Sequence, residues 1–274
     1  MTQNEASRLI RTLRRQILFA SVWKVGILAL IVVASVGAAS AWTTPEQSKM
    51  LWALSVASAG VWILFVILGL RQTREANQAA VYIATGRLDL AEQQLRTAAL
   101  AFNLHRRGKL LACHNLAVVA HGRREYETAA ALSAGVIELG QGALRGVSRI
   151  CRILLADCML ELHNPEAARR AIEPIPLGDP GVPLSEQLLL LPIRLRCDAA
   201  LDAYDHILID LPNKVRRAEL LDSPKAAMCH QILADACDRS GRRSEADFLR
   251  KRAELYHDSA PADARKELAS DADD

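Results

Sequence analysis

Two uncharged apolar runs lie close together near the N-terminus, VGILALIVVASVGAASAW from Val25 to Trp42 and MLWALSVASAGVWILFVILGL from Met50 to Leu70. As helices rising about 1.5 Å per residue they measure about 27 Å and about 31 Å, against a bilayer hydrocarbon core of about 30 Å. Each is expected to cross a membrane. The connecting TTPEQSK is polar, contains Pro45 and is only long enough for a tight hairpin. Lys24 bounds the first span, because an ammonium at the centre of a membrane costs about 2.5 to 3.5 kcal/mol.

Basic residues set the orientation. Arg8, Arg11, Arg14, Arg15 and Lys24 precede the first span, Arg71 and Arg74 follow the second, and the loop between offers only Lys49. The positive-inside rule then places both termini in the cytoplasm of a bacterial-type inner membrane, with Trp42 and Trp52 as anchors at the far interface. Small residues, Ala34, Gly37, Ala38 and Ala41 in one run and Ala53, Ala57 and Gly60 in the other, are expected to let the helices approach. Two other readings compete. The first run ends in Ala39-Ser40-Ala41, a small-x-small pattern of the kind signal peptidase cleaves. Both runs would also serve as core helices of a soluble protein, although such helices are usually shorter and carry a polar stripe.

Hydrophobic residues make up 51% of the chain and aromatic ones 4%, the excess lying in Ala and Leu, which favour helix over strand. An all-α protein is expected. The net charge of +3, with no basic stretch interleaved with aromatics, argues against nucleic acid as a partner. None of the six cysteines, Cys113, Cys151, Cys158, Cys197, Cys229 and Cys237, forms a CxxC pair. All are expected as buried, inert thiols holding no metal. Cys113 beside His114 and Cys229 beside His230 point about 100° apart in a helix, which is unsuited to chelation.

After Leu70 the segments VYIATGRLDLAEQQLRTAAL, AVVAHGRREYETAAALSAGV, MLELHNPEAARRAI and ACDRSGRRSEADFLRKRAEL share one design, a helix end, a polar turn and a second helix opening with an acid and Ala. Aligned on that alanine they give Ala91, Ala129, Ala168 and Ala246, nearly equal steps of which the last is double the one before. The preceding helices show Ala79, Ala117, Ala156 and Ala234, each at the same offset from its partner in the first column. Small residues at these places suit close packing of antiparallel helices and of one pair on the next. On these residues, and on Tyr82, Gly86, Leu88, Leu95 and Ala98 in the first unit, the chain resembles the tetratricopeptide repeat family over roughly Thr73 to His257. The resemblance implies an α-solenoid that binds proteins. A segment from Leu184 to Leu221, holding Pro192 and Pro212 and following the loop EPIPLGDPGVP, departs from the register.

The expected organisation is a basic N-terminal segment at 1–16, a transmembrane hairpin at 17–70, a repeat domain at 71–257 and a disordered acidic tail at 258–274. Carried over from the family, groove positions fall on Ile83, His114, Val118, Ile150, Ile153, Asp157, Glu161, Asp235 and Asp238. They run from apolar to acidic, which suits a basic or amphipathic protein segment. With no phosphate loop, HExxH or GxSxG motif in the chain, neither catalytic residues nor cofactors are expected. The expected function is a membrane-tethered scaffold or adaptor. A regulator that recognises a membrane client through its hairpin is the alternative, and an enzyme with an unrecognised helical site is a third.

Overall fold

The structure is a computed structural model describing residues 1–39, 44–101, 106–140 and 145–258, without the side chains of 38, 39, 72, 73, 75–77 and 145. Trp42, the end of the Ala39-Ser40-Ala41 site and the tail from 259 onward lie outside that description. Among the described residues every regular element is a helix. The chain divides into two compact units, residues 1–151 and residues 152 onward.

In the first unit α1 (Gln3–Ala39) and α2 (Pro45–Ala84) are the two long helices. Ala6, Leu13, Ala20, Ile27 and Ala34 recur every seven residues along α1 and are all buried, the spacing that keeps one seam of a helix facing its neighbours. Ser35 meets Ser55 at 2.8 Å between hydroxyls, and a Cβ at Gly37 would lie 3.2 Å from Leu51, so the two helices run antiparallel. The close approach on α2 falls on Ser55 and Ser58 rather than on the expected Ala53, Ala57 and Gly60, which are exposed. Positions 55, 58, 62 and 69 share one helical face, and the expected set occupies another. Thr44 opens α2 with a reciprocal capping box to Gln47.

Both helices are long and apolar enough to cross a membrane. Their apolar stretches leave Val22, Val25, Val33, Met50, Val56 and Ile63 more than half exposed. Both also run through the expected boundaries. The basic segment 1–16 is the first part of α1, and Leu9, Ile10 and Leu13 of that part are buried. Ile10 seats on Gly135, where any Cβ would collide with it, and Glu5 receives Arg96 at 3.1 Å. The boundary at 70/71 falls inside α2, which continues unbroken to Ala84. Helices α3 (Leu88–Leu100), α4 (Arg106–Gly122) and α5 (Tyr126–Leu139) complete this unit, together with the start of α6 (Arg145–Glu161).

The second unit holds the rest of α6, α7 (Pro165–Ile172), α8 (Leu184–Ala200), α9 (Tyr204–Leu208), α10 (Leu211–Ala218), α11 (Ser223–Arg239) and α12 (Arg243–Asp258). One core joins Ile153, Ala156, Ala171, Leu190 and Ile193, and another joins Leu191, Leu195, Ile207, Leu233 and Leu249.

One turn recurs in both units. Gly86, Arg124, His163, Asp202 and Gly241 all have positive φ, between 53° and 78°, and follow one another at almost constant spacing along the sequence. Each sits in the same pair of hydrogen bonds. Its own N–H donates to the carbonyl three residues back, and the next N–H donates to the carbonyl five back, as in Arg87 to Tyr82, Glu125 to Ala120 and Arg242 to Cys237. That is the Schellman termination, in which a left-handed residue satisfies the last carbonyls of a helix. The two alanine columns lie at fixed offsets from these turns, and all eight alanines have no exposed surface. In the segment that departs from the alanine pattern, the same positions are Leu195 and Ile207, 1% and 0% exposed. The second helix there is broken into α9 and α10 at Asp210, whose φ is 56°.

Candidate functional site

The residues expected to face a partner divide by burial. Ile83 on α2, His114 and Val118 on α4, and Ile150 on α6 are half-buried. Ile153 is not a groove residue, because its side chain is 4% exposed and enclosed in the core with Ala156, Leu190 and Ile193. His114 Nδ1 lies 3.4 Å from Cys151 Sγ. Burial pushes that imidazole below its ordinary range and that thiol up to about 12, so the contact is between neutral groups and not an activated nucleophile.

The four expected carboxylates stand in two settings. Asp157 and Glu161 on α6 both accept from Arg196 on α8, at 3.1 and 2.6 Å. Asp238 on α11 accepts from Arg250 of α12, and Asp235 accepts from Gln231 at 3.0 Å. Arg239 lies 4.1 Å above the ring of Tyr204 and donates to Asp202 at 3.1 Å. Asp235 and Asp238 line a cavity of about 290 Å³ with Tyr204, Ile232 and Arg239, whereas Asp157 and Glu161 are not among its walls. Three of these acids therefore already hold an arginine of the same chain, which a basic partner would have to displace.

A larger cavity, of about 410 Å³, opens between α7, α8, α9 and α10. Its polar wall carries Arg169 from α7 and Glu173 just after it, Arg194 and Asp198 from α8, His206 from α9, Asp210 at the start of α10, and Lys214 and Arg217 from α10. Ile172, Leu177 and Ile209 supply an apolar wall. Lys214 is 6% exposed, and its Nζ donates to the carbonyls of His206 and Ile207 at 2.6 and 2.9 Å. Burial lowers the pKa of that ammonium. Asp198 is also 6% exposed, and burial raises its carboxyl although Arg194, Arg169, His206 and Lys214 pull it back. Arg169 Nη2 lies 3.2 Å from His206 Nδ1.

Of these cavity residues the sequence draws attention only to His206, as a helix-surface or satisfied histidine and not a base, since the set is spread from 169 to 217, across the stretch that leaves the alanine register. The available signal was the short pair of strongly amphipathic helices PEAARRAI and LPNKVRRA, each with adjacent arginines, which their neighbours bring to one opening. Among the described residues no three His, Cys, Asp or Glu side chains converge as metal ligands. Comparison of the chain with protein-family models, with curated proteins and with solved structures finds no match.

Proposed function

We propose that the chain is a membrane-tethered scaffold. In this reading α1 and α2 form a hairpin across a bacterial-type inner membrane with both ends cytoplasmic, and the helix-turn-helix units stack as a solenoid resembling tetratricopeptide repeats that binds a protein partner. The observation that carries the reading is the continuity of α2. From Met50 to Leu70 it is apolar and exposed on all but the face that carries Ser55 and Ser58, then becomes without a break the helix that ends in the first of the five recurrent turns. A helix rising about 1.5 Å per residue transmits position along its axis, so such a chain holds the end of α2 and the turn after it at a fixed place beside the bilayer.

The test replaces the apolar stretches of α1 and α2 with those of an unrelated hairpin of equal length, and compares partners recovered from mild detergent. A scaffold recovers the same partner from both proteins. Loss of the partner from the swapped protein would instead assign recognition to the spans. Changing Asp157, Glu161, Asp235 and Asp238 together to Asn or Gln asks whether the acidic positions contribute. Charge complementarity acts mainly on association rate and is screened by salt, so weaker and less salt-dependent binding is expected if they do.

A further inference from the structure

We propose that the cavity between α7, α8, α9 and α10 binds a small phosphate-bearing anion, with the guanidiniums of Arg194 and Arg217 as its clamp. The inference is independent of the scaffold reading and rests on how arginines are used in this unit. Arg196 is held by Asp157 and Glu161, Arg239 by Asp202, Arg250 by Asp238 and Arg252 by Glu219. Arg194 and Arg217 are half-buried, line the cavity, and make no ion pair among the described residues. Arg194 has the carboxyl of Asp198 nearby but no ion pair, and removing a guanidinium from water without a paired counter-charge is unfavourable, so an anion in the cavity would supply one.

The shape of the site agrees with that role. The loop before α8 turns at Gly178 with φ 90°, where a Cβ would stand 3.4 Å from Arg217 Nη2, so bare backbone backs the guanidinium on that side. Lys214 adds a charge that gives two of its three N–H donors to the carbonyls of His206 and Ile207. Asp198 is the one acid buried in the wall, and Arg194, Arg169, His206 and Lys214 all act on its carboxyl. Glu173 and Asp210 line the cavity as exposed carboxylates, so three acids stand against Arg169, Arg194, Lys214 and Arg217, and the lining keeps an excess of basic side chains. The forked donors of two arginines match the oxygens of a phosphate. A volume of about 410 Å³ admits a phosphate ester with an organic body resting on Ile172, Leu177 and Ile209.

The experiment measures the thermal midpoint of the full chain in neutral-lipid nanodiscs against inorganic phosphate, with chloride at matched ionic strength as control. A saturable rise with phosphate but not with chloride is expected, and Arg194→Gln with Arg217→Gln should weaken phosphate by about 10-fold or more. Arg216→Gln, an exposed arginine outside the cavity, should leave it unchanged. In parallel, nanodiscs containing phosphatidic acid separate the two sources of the ligand. A rise that needs the lipid, and that the double variant abolishes, assigns the clamp to a headgroup instead of a soluble ester. Should the double variant fail to fold, hydrogen exchange on the unaltered chain decides, with phosphate-dependent protection expected within 165–218. No rise with either probe, a rise undiminished in the double variant, or protection elsewhere would overturn the proposal.

Discussion

At the scale of single residues the buried titratable groups govern how stability varies with pH. His230 has no exposed surface, stacks on Tyr256 at 5.5 Å and 9°, and has neither ring nitrogen hydrogen-bonded among the described residues. Burial holds its pKa below the ordinary histidine range, as it does for His114. The unfolded chain binds protons at these positions below about pH 6.5 while the folded chain resists, so stability is complete above that pH and is lost as pH falls through it. In urea titrations, His230→Phe, which keeps the stack, is expected to flatten the loss between about pH 6.5 and 5. An unchanged slope would mean that the ring is protonated in the fold. Sequence reasoning placed the cysteines in helices, and all six are buried. It did not anticipate buried Lys109 or Lys214, because local pattern shows an amphipathic helix but not which of its lysines another element will cover.

At the scale of elements the recurrent turn is the most specific feature. At Gly86 and Gly241 a Cβ would meet nothing within 4 Å, so replacing either is costly only through the backbone. Gly241→Ala is expected to lower stability by about 1 kcal/mol. His163→Gly should raise it by up to about 1 kcal/mol, because an exposed non-glycine residue now holds φ 55°. Equal midpoints for these two variants would contradict the shared turn geometry. The same turn explains what was legible in the sequence. Regularly spaced alanines mark four units, but the unit around Asp202 fills the two positions with Leu195 and Ile207, so a search keyed on small residues passes over it. Asp tolerates the left-handed region better than most residues, so the equal steps from Arg124 to His163 and from His163 to Asp202 were the available signal. The role of segment 1–16 was hidden for a related reason, since its arginines read as topology signals and masked the stripe of Ala6, Leu9, Ile10 and Leu13. Leu13→Ala, at a position with no exposed surface, is expected to cost about 2 to 5 kcal/mol, whereas exposed Arg15→Ala should be nearly neutral. Similar midpoints for the two would show that the start of α1 does not belong to the core.

At the scale of the whole molecule the proposed arrangement is a cytoplasmic repeat domain held at a membrane by α1 and α2. The composition of the two apolar runs made both helices legible, and their exposed surface is what a lipid solvent requires. Orientation rests on Arg8, Arg11, Arg14 and Arg15 on one side and a connecting loop with Lys49 on the other. The native cysteines cannot report it, since all are buried and burial pushes Cys113, Cys151, Cys158 and Cys229 up to about 12, leaving almost no reactive thiolate on either side of a membrane. Introduced cysteines at exposed positions can. Glu46 lies in the first turn of α2 beside the connection between the spans, and Ser240 lies in the turn before α12. The deciding measurement is labelling of Glu46→Cys and Ser240→Cys by a membrane-impermeant thiol reagent, in intact cells and after permeabilisation. The account predicts that Glu46→Cys is labelled in intact cells and Ser240→Cys only after permeabilisation. Labelling of Ser240→Cys in intact cells, or of both variants only after permeabilisation, would contradict it.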